Sequence, residues 1–136
     1  MAFKFTYTGI QVRDLDRSIA FYRDLLGMEF KGRSKVPETA GETAGFTSPG
    51  SNQVLELNWY PEGSRHFKGP YRHGDELDHL AFQCDDADRA YADLVRKGAQ
   101  TGIHPFTEGG GRIAYVRDPD GIWIELFSAP VENAGA

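Results

Sequence analysis

Asp78-His79-Leu80-Ala81-Phe82-Gln83-Cys84-Asp85-Asp86-Ala87-Asp88-Arg89 has a partner near the N-terminus, Tyr7-Thr8-Gly9-Ile10-Gln11-Val12-Arg13-Asp14-Leu15-Asp16-Arg17. Displaced by 72 residues, Gln11 falls on Gln83, Asp14 on Asp86, Asp16 on Asp88 and Arg17 on Arg89. Apolar Ile10 and Val12 then meet Phe82 and Cys84, and Tyr7 falls on His79. A second pair repeats at a displacement of 69, Val54-Leu55-Glu56-Leu57 against Trp123-Ile124-Glu125-Leu126. Both pairs keep their order and nearly their spacing, so the chain reads as two copies of one unit of roughly seventy residues, and a repeat of fixed period decides the architecture before any local pattern does.

A length of 136 residues suits one domain with a full core, or two fused half-units sharing one, while two independent domains would be too small. Hydrophobic residues at 40% and charged residues at 26% describe an ordinary globular chain, and a net charge of -5 gives no steering toward nucleic acid. The single Cys84 excludes an intrachain disulfide framework and a thiolate metal cluster, and its apolar neighbours at alternate positions read it as a small buried hydrophobe. No apolar run approaches the ~18 residues of a membrane span and no leader pattern opens the chain, so a cytoplasmic location is the expectation.

Taken in order, 5–12 reads as a strand, and Asp14 caps a helix whose buried face is Leu15, Ile19, Tyr22 and Leu26, ended by Gly27. Residues 28–33 read as a second strand. Pro37, Gly41 and the small or charged residues between Ser34 and Glu42 read as a mobile flap. Residues 43–47 and 53–59 form a hairpin across Ser48-Pro49-Gly50-Ser51-Asn52. The irregular stretch 60–76 is a linker, and its Arg65, His66, Lys68, Arg72 and His73 could meet an anionic group on a ligand.

The plan then repeats: strand 77–84, cap Asp86, helix 87–97 with Ala90, Tyr91, Leu94 and Val95 inward, Gly98, and a short strand 100–104. The strand 112–116 follows, then the turn Asp118-Pro119-Asp120-Gly121 and a last strand 122–127. The triple glycine 109–111 lacks the strand-to-helix context of a nucleotide-binding fingerprint. His66, His73 and His104 fall in loops or at a strand end and read as surface or substrate-loop residues.

Side chains alternate along a strand, so Leu55 and Leu57, Ile124 and Leu126, Ile10 and Val12, and Leu80, Phe82 and Cys84 form apolar rows that bury against the helices. The opposite rows carry Tyr7, Gln11, Glu56, Asn58, His79, Gln83 and Glu125, a polar set placed mid-strand. A carboxylate between two apolar residues, at the same place in both copies, is costly to bury unless paired, hydrogen-bonded or bound to a cation. His79, Glu56 and Glu125 offer one imidazole and two carboxylates, which suits nickel, zinc, cobalt, manganese or iron with open positions for substrate. Such an ion polarises a carbonyl or steadies an enolate while a bordering carboxylate moves a proton.

From Tyr7 to Phe127 the chain resembles the vicinal oxygen chelate superfamily, which includes glyoxalase I, bleomycin resistance proteins and ring-cleaving dioxygenases. The resemblance is carried by Val12-Arg13-Asp14-Leu15-Asp16-Arg17-Ser18, Phe21-Tyr22, Leu26-Gly27-Met28, Leu55-Glu56-Leu57, Asp78-His79-Leu80-Ala81-Phe82, and Asp118-Pro119-Asp120-Gly121 leading into Ile124-Glu125-Leu126. It implies an α+β fold of two tandem βαβββ modules forming a cup-shaped, incompletely closed mixed sheet, as a single domain over 1–136. Module one would cover about 5–59, the linker 60–76, module two 77–128 and a frayed tail 129–136.

It implies one divalent metal held at Tyr7, Glu56, His79 and Glu125, and a homodimer; Tyr7 departs from the His or Gln usual at its place. The implied activity is a glyoxalase I-like lyase acting on the hemithioacetal of methylglyoxal and glutathione through a metal-stabilised enediolate. Glu56 or Glu125 would shuttle the proton, and Arg65, Lys68 and Arg72 would hold the anionic thiol. Two alternatives stay open: a metal-free small-molecule binding or drug-sequestering protein, with Tyr7, Trp123 and Phe127 as stacking surface, and an Fe(II) ring-cleaving dioxygenase. Partners are a small-molecule substrate, with no nucleic acid and no membrane.

Overall fold

A computed structural model describes residues 1–2, 4–64, 71–74 and 77–129. The chain divides into two compact units, Met1–His73 and Gly74–Ala136. In the first, β1 (Thr8–Gln11) is followed by α1 (Leu15–Ala20), which runs on through a π-helical turn over Phe21–Leu25, then β2 (Glu29–Val36), β3 (Gly41–Thr47) and β4 (Leu55–Trp59). In the second, β5 (Leu80–Gln83) leads to α2 (Ala87–Arg96), β6 (Gln100–Glu108), β7 (Gly111–Arg117) and β8 (Trp123–Ser128). The sheets have equivalent orders, β1-β4-β3-β2 and β5-β8-β7-β6. In each, the first strand pairs parallel with the last and the remaining pairs are antiparallel.

Register carries the duplication down to single residues. Gly9 pairs with Glu56 across β1 and β4, and Ala81 pairs with Glu125 across β5 and β8, as the displacements of 72 and 69 require. The α+β fold of two βαβββ units is therefore the one read from the sequence. Both helices start as expected: Asp14 and Asp86 have extended backbones and accept from the N–H of Arg17 and Arg89. Such a bond satisfies a donor that the first helical turn leaves orphaned. Gly27 (φ +70°) and Gly98 (φ +105°) take the left-handed conformation that ends each helix.

The apolar rows bury as parity dictates. Ile10, Val12, Leu55, Leu57 and Phe46 form the first core with Leu15, Ile19 and Tyr22, while Ile124, Leu126, Ala114 and Val116 form the second with Tyr91 and Leu94. β5 buries less, with Leu80 and Phe82 only half-covered. Cys84 is half-buried rather than buried, its Sγ on the Phe127 carbonyl at 3.5 Å. Its thiol is pushed above its usual range by burial and then by the Asp86 and Asp85 charges, against a hydrogen bond from the Asp86 backbone that lowers it.

Five features differ from the reading of the sequence. The first strand is shorter than 5–12 and the fifth shorter than 77–84, so Tyr7 and His79 lie one residue before β1 and β5 rather than mid-strand. The helix after Asp14 widens, with the Leu26 N–H bonding the Phe21 carbonyl five residues back at 3.1 Å. The flap expected over 34–42 is a hairpin, with β2 running through Val36, β3 starting at Gly41 and a turn over 37–40 between them. Its charges belong to an edge strand, and Gly41 is a close-approach residue, since a Cβ there would sit 2.5 Å from the Trp59 carbonyl oxygen.

Finally, the strand expected over 100–104 continues to Glu108, because the Gly109-Gly110 pair (φ +58° and +82°) makes the two-residue hairpin loop into β7. Among the described residues no helix is long and apolar enough to cross a membrane.

Candidate functional site

In the second unit, β8 presents Trp123, Glu125 and Phe127 on the face opposite the buried Ile124 and Leu126. Register sets Tyr115 of β7 directly across from Glu125. The Tyr115 hydroxyl donates to Glu125 Oε1 at 3.0 Å. The other carboxylate oxygen, Oε2, lies 4.0 Å from His79 Nε2, and His79 Nδ1 is 2.6 Å from the Asp78 carboxylate. A carboxylate only accepts, so Nδ1 donates to Asp78, and this leaves Nε2 as the ring nitrogen that faces Glu125.

Glu125 is only 17% exposed at its side chain, and the phenol bond offsets part of the cost of covering its charge. The Tyr115 pKa is pushed up to about 12, first by burial, then by its bond to Glu125, then by the charges of Glu125, Glu108 and Asp78. It therefore stays a donor at any physiological pH. Its ring meets the His79 imidazole edge-on at 5.8 Å and the Trp123 indole at 5.9 Å, so one tyrosine touches both members of the pair.

The first unit repeats the backbone without the support. Glu56 is half-buried between Gly9 of β1 and Gly45 of β3. Among the described residues no side-chain hydrogen bond or ion pair reaches its carboxylate. Tyr7 is 51% exposed. The Tyr60 phenol is raised by burial, then by the charges of Glu56 and Tyr7, so these three residues share one neighbourhood. Gly9 leaves room for Asn58, whose Nδ2 would be 3.0 Å from a Cβ there.

Of the expected site residues, the structure brings together His79 with Glu125, and Tyr7 with Glu56 and Tyr60. Arg65, Lys68 and His66 lie outside the described residues, and Arg72 and His73 are exposed. His104 packs its ring on Tyr91 at 5.3 Å. Sequence reading did not single out Tyr115, although its parity in 112–116 puts it on the same face as Glu125. Nor did it weigh Asp78 as the orienter of His79, although the two are adjacent.

The donor chemistry of the second unit fits a divalent ion. It has an imidazole nitrogen and a carboxylate oxygen 4.0 Å apart, each group with its other polar atom tied back by Asp78 or Tyr115, an outer-shell pattern that orients metal ligands. Among the described residues no three His, Cys, Asp or Glu gather into a metal-binding group, so the pair accounts for two donors. Glu56 and Tyr7, the other two expected ligands, belong to the first unit. The Tyr7 phenol is the poorest match, since an uncharged phenol is a weak ligand.

The family model for the Glyoxalase/Bleomycin resistance protein/Dioxygenase superfamily matches residues 4–126. The lactoylglutathione lyase of Salmonella typhimurium is 34% identical over 135 residues, covering 95% of each chain. The trypanothione-dependent glyoxalase I of Leishmania major superposes with a TM-score of 0.75 at 31% identity, over 93% of this chain and 87% of that one. Glyoxalase I of Zea mays gives a TM-score of 0.76 at 26% identity, over 92% of this chain and 44% of that one. By repeat, by sheet topology and by this likeness along nearly its whole length, the chain belongs to the glyoxalase/bleomycin resistance protein/dioxygenase superfamily.

Proposed function

We propose that the protein is a metal-dependent lyase of the glyoxalase I type, isomerising the hemithioacetal of methylglyoxal and a small thiol, glutathione first, to the lactoyl thioester. The observation that carries this reading is the chain Tyr115–Glu125–His79–Asp78, in which a carboxylate and an imidazole face each other with their remaining atoms already engaged. The likeness to lactoylglutathione lyase over 95% of both chains supports it.

The residues that would hold the ion are His79 and Glu125, with Glu56 and Tyr7 at the other family positions. A divalent ion there supplies Lewis-acid stabilisation of negative charge on the substrate oxygens. The chain's own carboxylates do the proton work. Glu56 or Glu125 takes the proton from the carbon bearing sulfur and hydroxyl, the electron pair shifts toward the neighbouring carbonyl, and the same carboxyl returns the proton to that neighbouring carbon. The hydroxyl proton passes to the former carbonyl oxygen, so that the first carbon ends as the thioester carbonyl and the second as the alcohol. Oxidation of the first carbon to the thioester level and reduction of the second to an alcohol cancel, so no external redox partner is needed. The Tyr115 phenol on Oε1 and the low exposure of the side chain restrict water around Glu125.

The test is turnover of the glutathione hemithioacetal by protein loaded in turn with nickel, zinc, cobalt, manganese and ferrous iron, followed by thioester absorbance. Glu56→Gln and Glu125→Gln should each lower kcat/KM by about 10²–10⁴-fold. Absence of turnover with every metal, or a Glu125→Gln variant as active as the parent, would overturn the reading. The exposed Tyr7 (51%), Trp123 (36%) and Phe127 (37%) favour small-molecule binding as the second reading. Protein that takes up no metal yet binds aromatic ligands would establish it.

A further inference from the structure

Arg117 ends β7 directly across from Trp123. Its guanidinium lies over the indole at 5.6 Å, and its Nε donates to the Thr101 carbonyl at 3.0 Å. Gly102 makes that arrangement possible: a Cβ there would sit 2.7 Å from Trp123 Cζ3 and 2.6 Å from the Tyr115 carbonyl oxygen, so glycine leaves the room that the indole and the neighbouring backbone take up. The arginine is thus held by a stack and a backbone bond, and its terminal nitrogens meet no carboxylate among the described residues. Arg23, Arg33, Arg96 and Arg112 all hold one, with Asp24, Asp16 and Glu42, Asp93 and Asp88 respectively.

In an acidic chain with 20 aspartates and glutamates, this half-covered guanidinium meets no carboxylate among the described residues, and its planar fork matches one. A continuous row leads to it from the candidate catalytic pair: His79 to Tyr115 at 5.8 Å, Tyr115 to Trp123 at 5.9 Å, Trp123 to Arg117 at 5.6 Å. Two residues of strand separate Glu125 from Trp123, about 7 Å. The repeat puts Thr47 and Val54 at the corresponding places of the first unit, so this feature belongs to the second alone.

We propose that Trp123 and Arg117 form a subsite for a carboxylate on the thiol arm of the substrate, the indole carrying the arm and the guanidinium taking its charge. The inference rests on the lyase reading and narrows its substrates to hemithioacetals of anionic thiols. The test compares the metal-loaded parent with Arg117→Gln and Arg117→Lys on the methylglyoxal adducts of glutathione and of N-acetylcysteamine, an uncharged thiol.

Arg117→Gln should raise KM for the glutathione adduct about tenfold, the worth of one charge-assisted pair, leave kcat within about twofold, and leave the uncharged adduct unchanged. Arg117→Lys, which keeps charge but not the fork, should fall between. If KM for both adducts moves together, or neither moves, the subsite is overturned. If the parent turns over neither adduct, the lyase reading fails, and calorimetric binding of S-methylglutathione decides the subsite alone. About tenfold weaker binding to Arg117→Gln sustains it; equal binding, or none to the parent, overturns it.

Discussion

Glu56 and Glu125 occupy one slot of a duplicated sheet, each opposite a small residue on the parallel neighbour, Gly9 or Ala81. On the antiparallel side Glu125 faces Tyr115 and Glu56 faces Gly45. The first pairing holds a carboxylate by a 3.0 Å hydrogen bond, while the glycine of the second has no side chain to offer one. Duplication of the backbone therefore fixes where the carboxylates stand, while a single residue across the ladder decides which one is held still. Only the unit with the phenol also has the imidazole, at the position where the other has Tyr7.

The largest measurable inequality between the repeats should lie in the turns that enter β4 and β8. Asp118 is fully buried, and its Oδ1 accepts from the Asp120 N–H at 2.8 Å and the Ile122 N–H at 2.9 Å. The corresponding turn in the first unit, Ser48-Pro49-Gly50-Ser51, is closed by the Ser51 N–H on the Ser48 carbonyl at 3.2 Å, with Ser51 exposed. Asp118→Ala leaves two buried donors without that acceptor and should cost about 2–4 kcal/mol. Ser51→Ala should stay within about 0.5 kcal/mol. Urea midpoints at constant m-value check both, and equal costs would mean the turns are supported alike.

A smaller effect tests the glutamates themselves. Tyr115→Phe keeps the ring between His79 and Trp123 and removes only the bond to Glu125, so divalent-metal affinity should fall by about 10–100-fold, the usual effect of losing an outer-shell partner. Competition with a chromophoric chelator measures it; unchanged affinity in a folded variant would make the phenol incidental. The same variant carries a pH signature. A folded-state pKa of about 12 lies above the phenol's ordinary 10.0, so the stability tied to protonated Tyr115 is whole below the ordinary value and is lost as pH rises toward the folded one. Tyr115→Phe should lose a phenol that ionises near pH 12 in an alkaline absorbance titration, and part of the alkaline decline in stability.

The elements legible in the sequence were those in which local chemistry and tertiary structure agree. Asp14 and Asp86 before amphipathic helices, Gly27 and Gly98 after them, and Leu-Glu-Leu against Ile-Glu-Leu all name backbone geometry that one segment can specify. The misreadings fall where a distant strand decides. Ser34 to Glu42 looks like a loop because an edge strand carries charge and Gly41 looks like a breaker, yet that glycine is there to let the Trp59 backbone pass. Pro105 hid the second half of β6, which tolerates it as an edge strand with register shifts around it. Tyr115 stayed unseen because parity gives its face while only the register between β7 and β8 gives its partner.

The helix caps probe the limit at which the repeats should be indistinguishable. Asp14 and Asp86 both sit in extended backbone, and each accepts from the N–H three residues on at 3.0 Å. The helices beyond them differ, six residues running into a π-helical turn against ten regular ones. If capping energy depends on the first turn alone, Asp14→Ala and Asp86→Ala should each cost about 1 kcal/mol and agree within about 0.5 kcal/mol. A much larger loss for Asp14→Ala, read from the same denaturation curves, would show that the widened turn over Phe21–Leu25 relies on the cap to hold α1 in place. The two units would then differ in how their helices are kept, as well as in how their glutamates are.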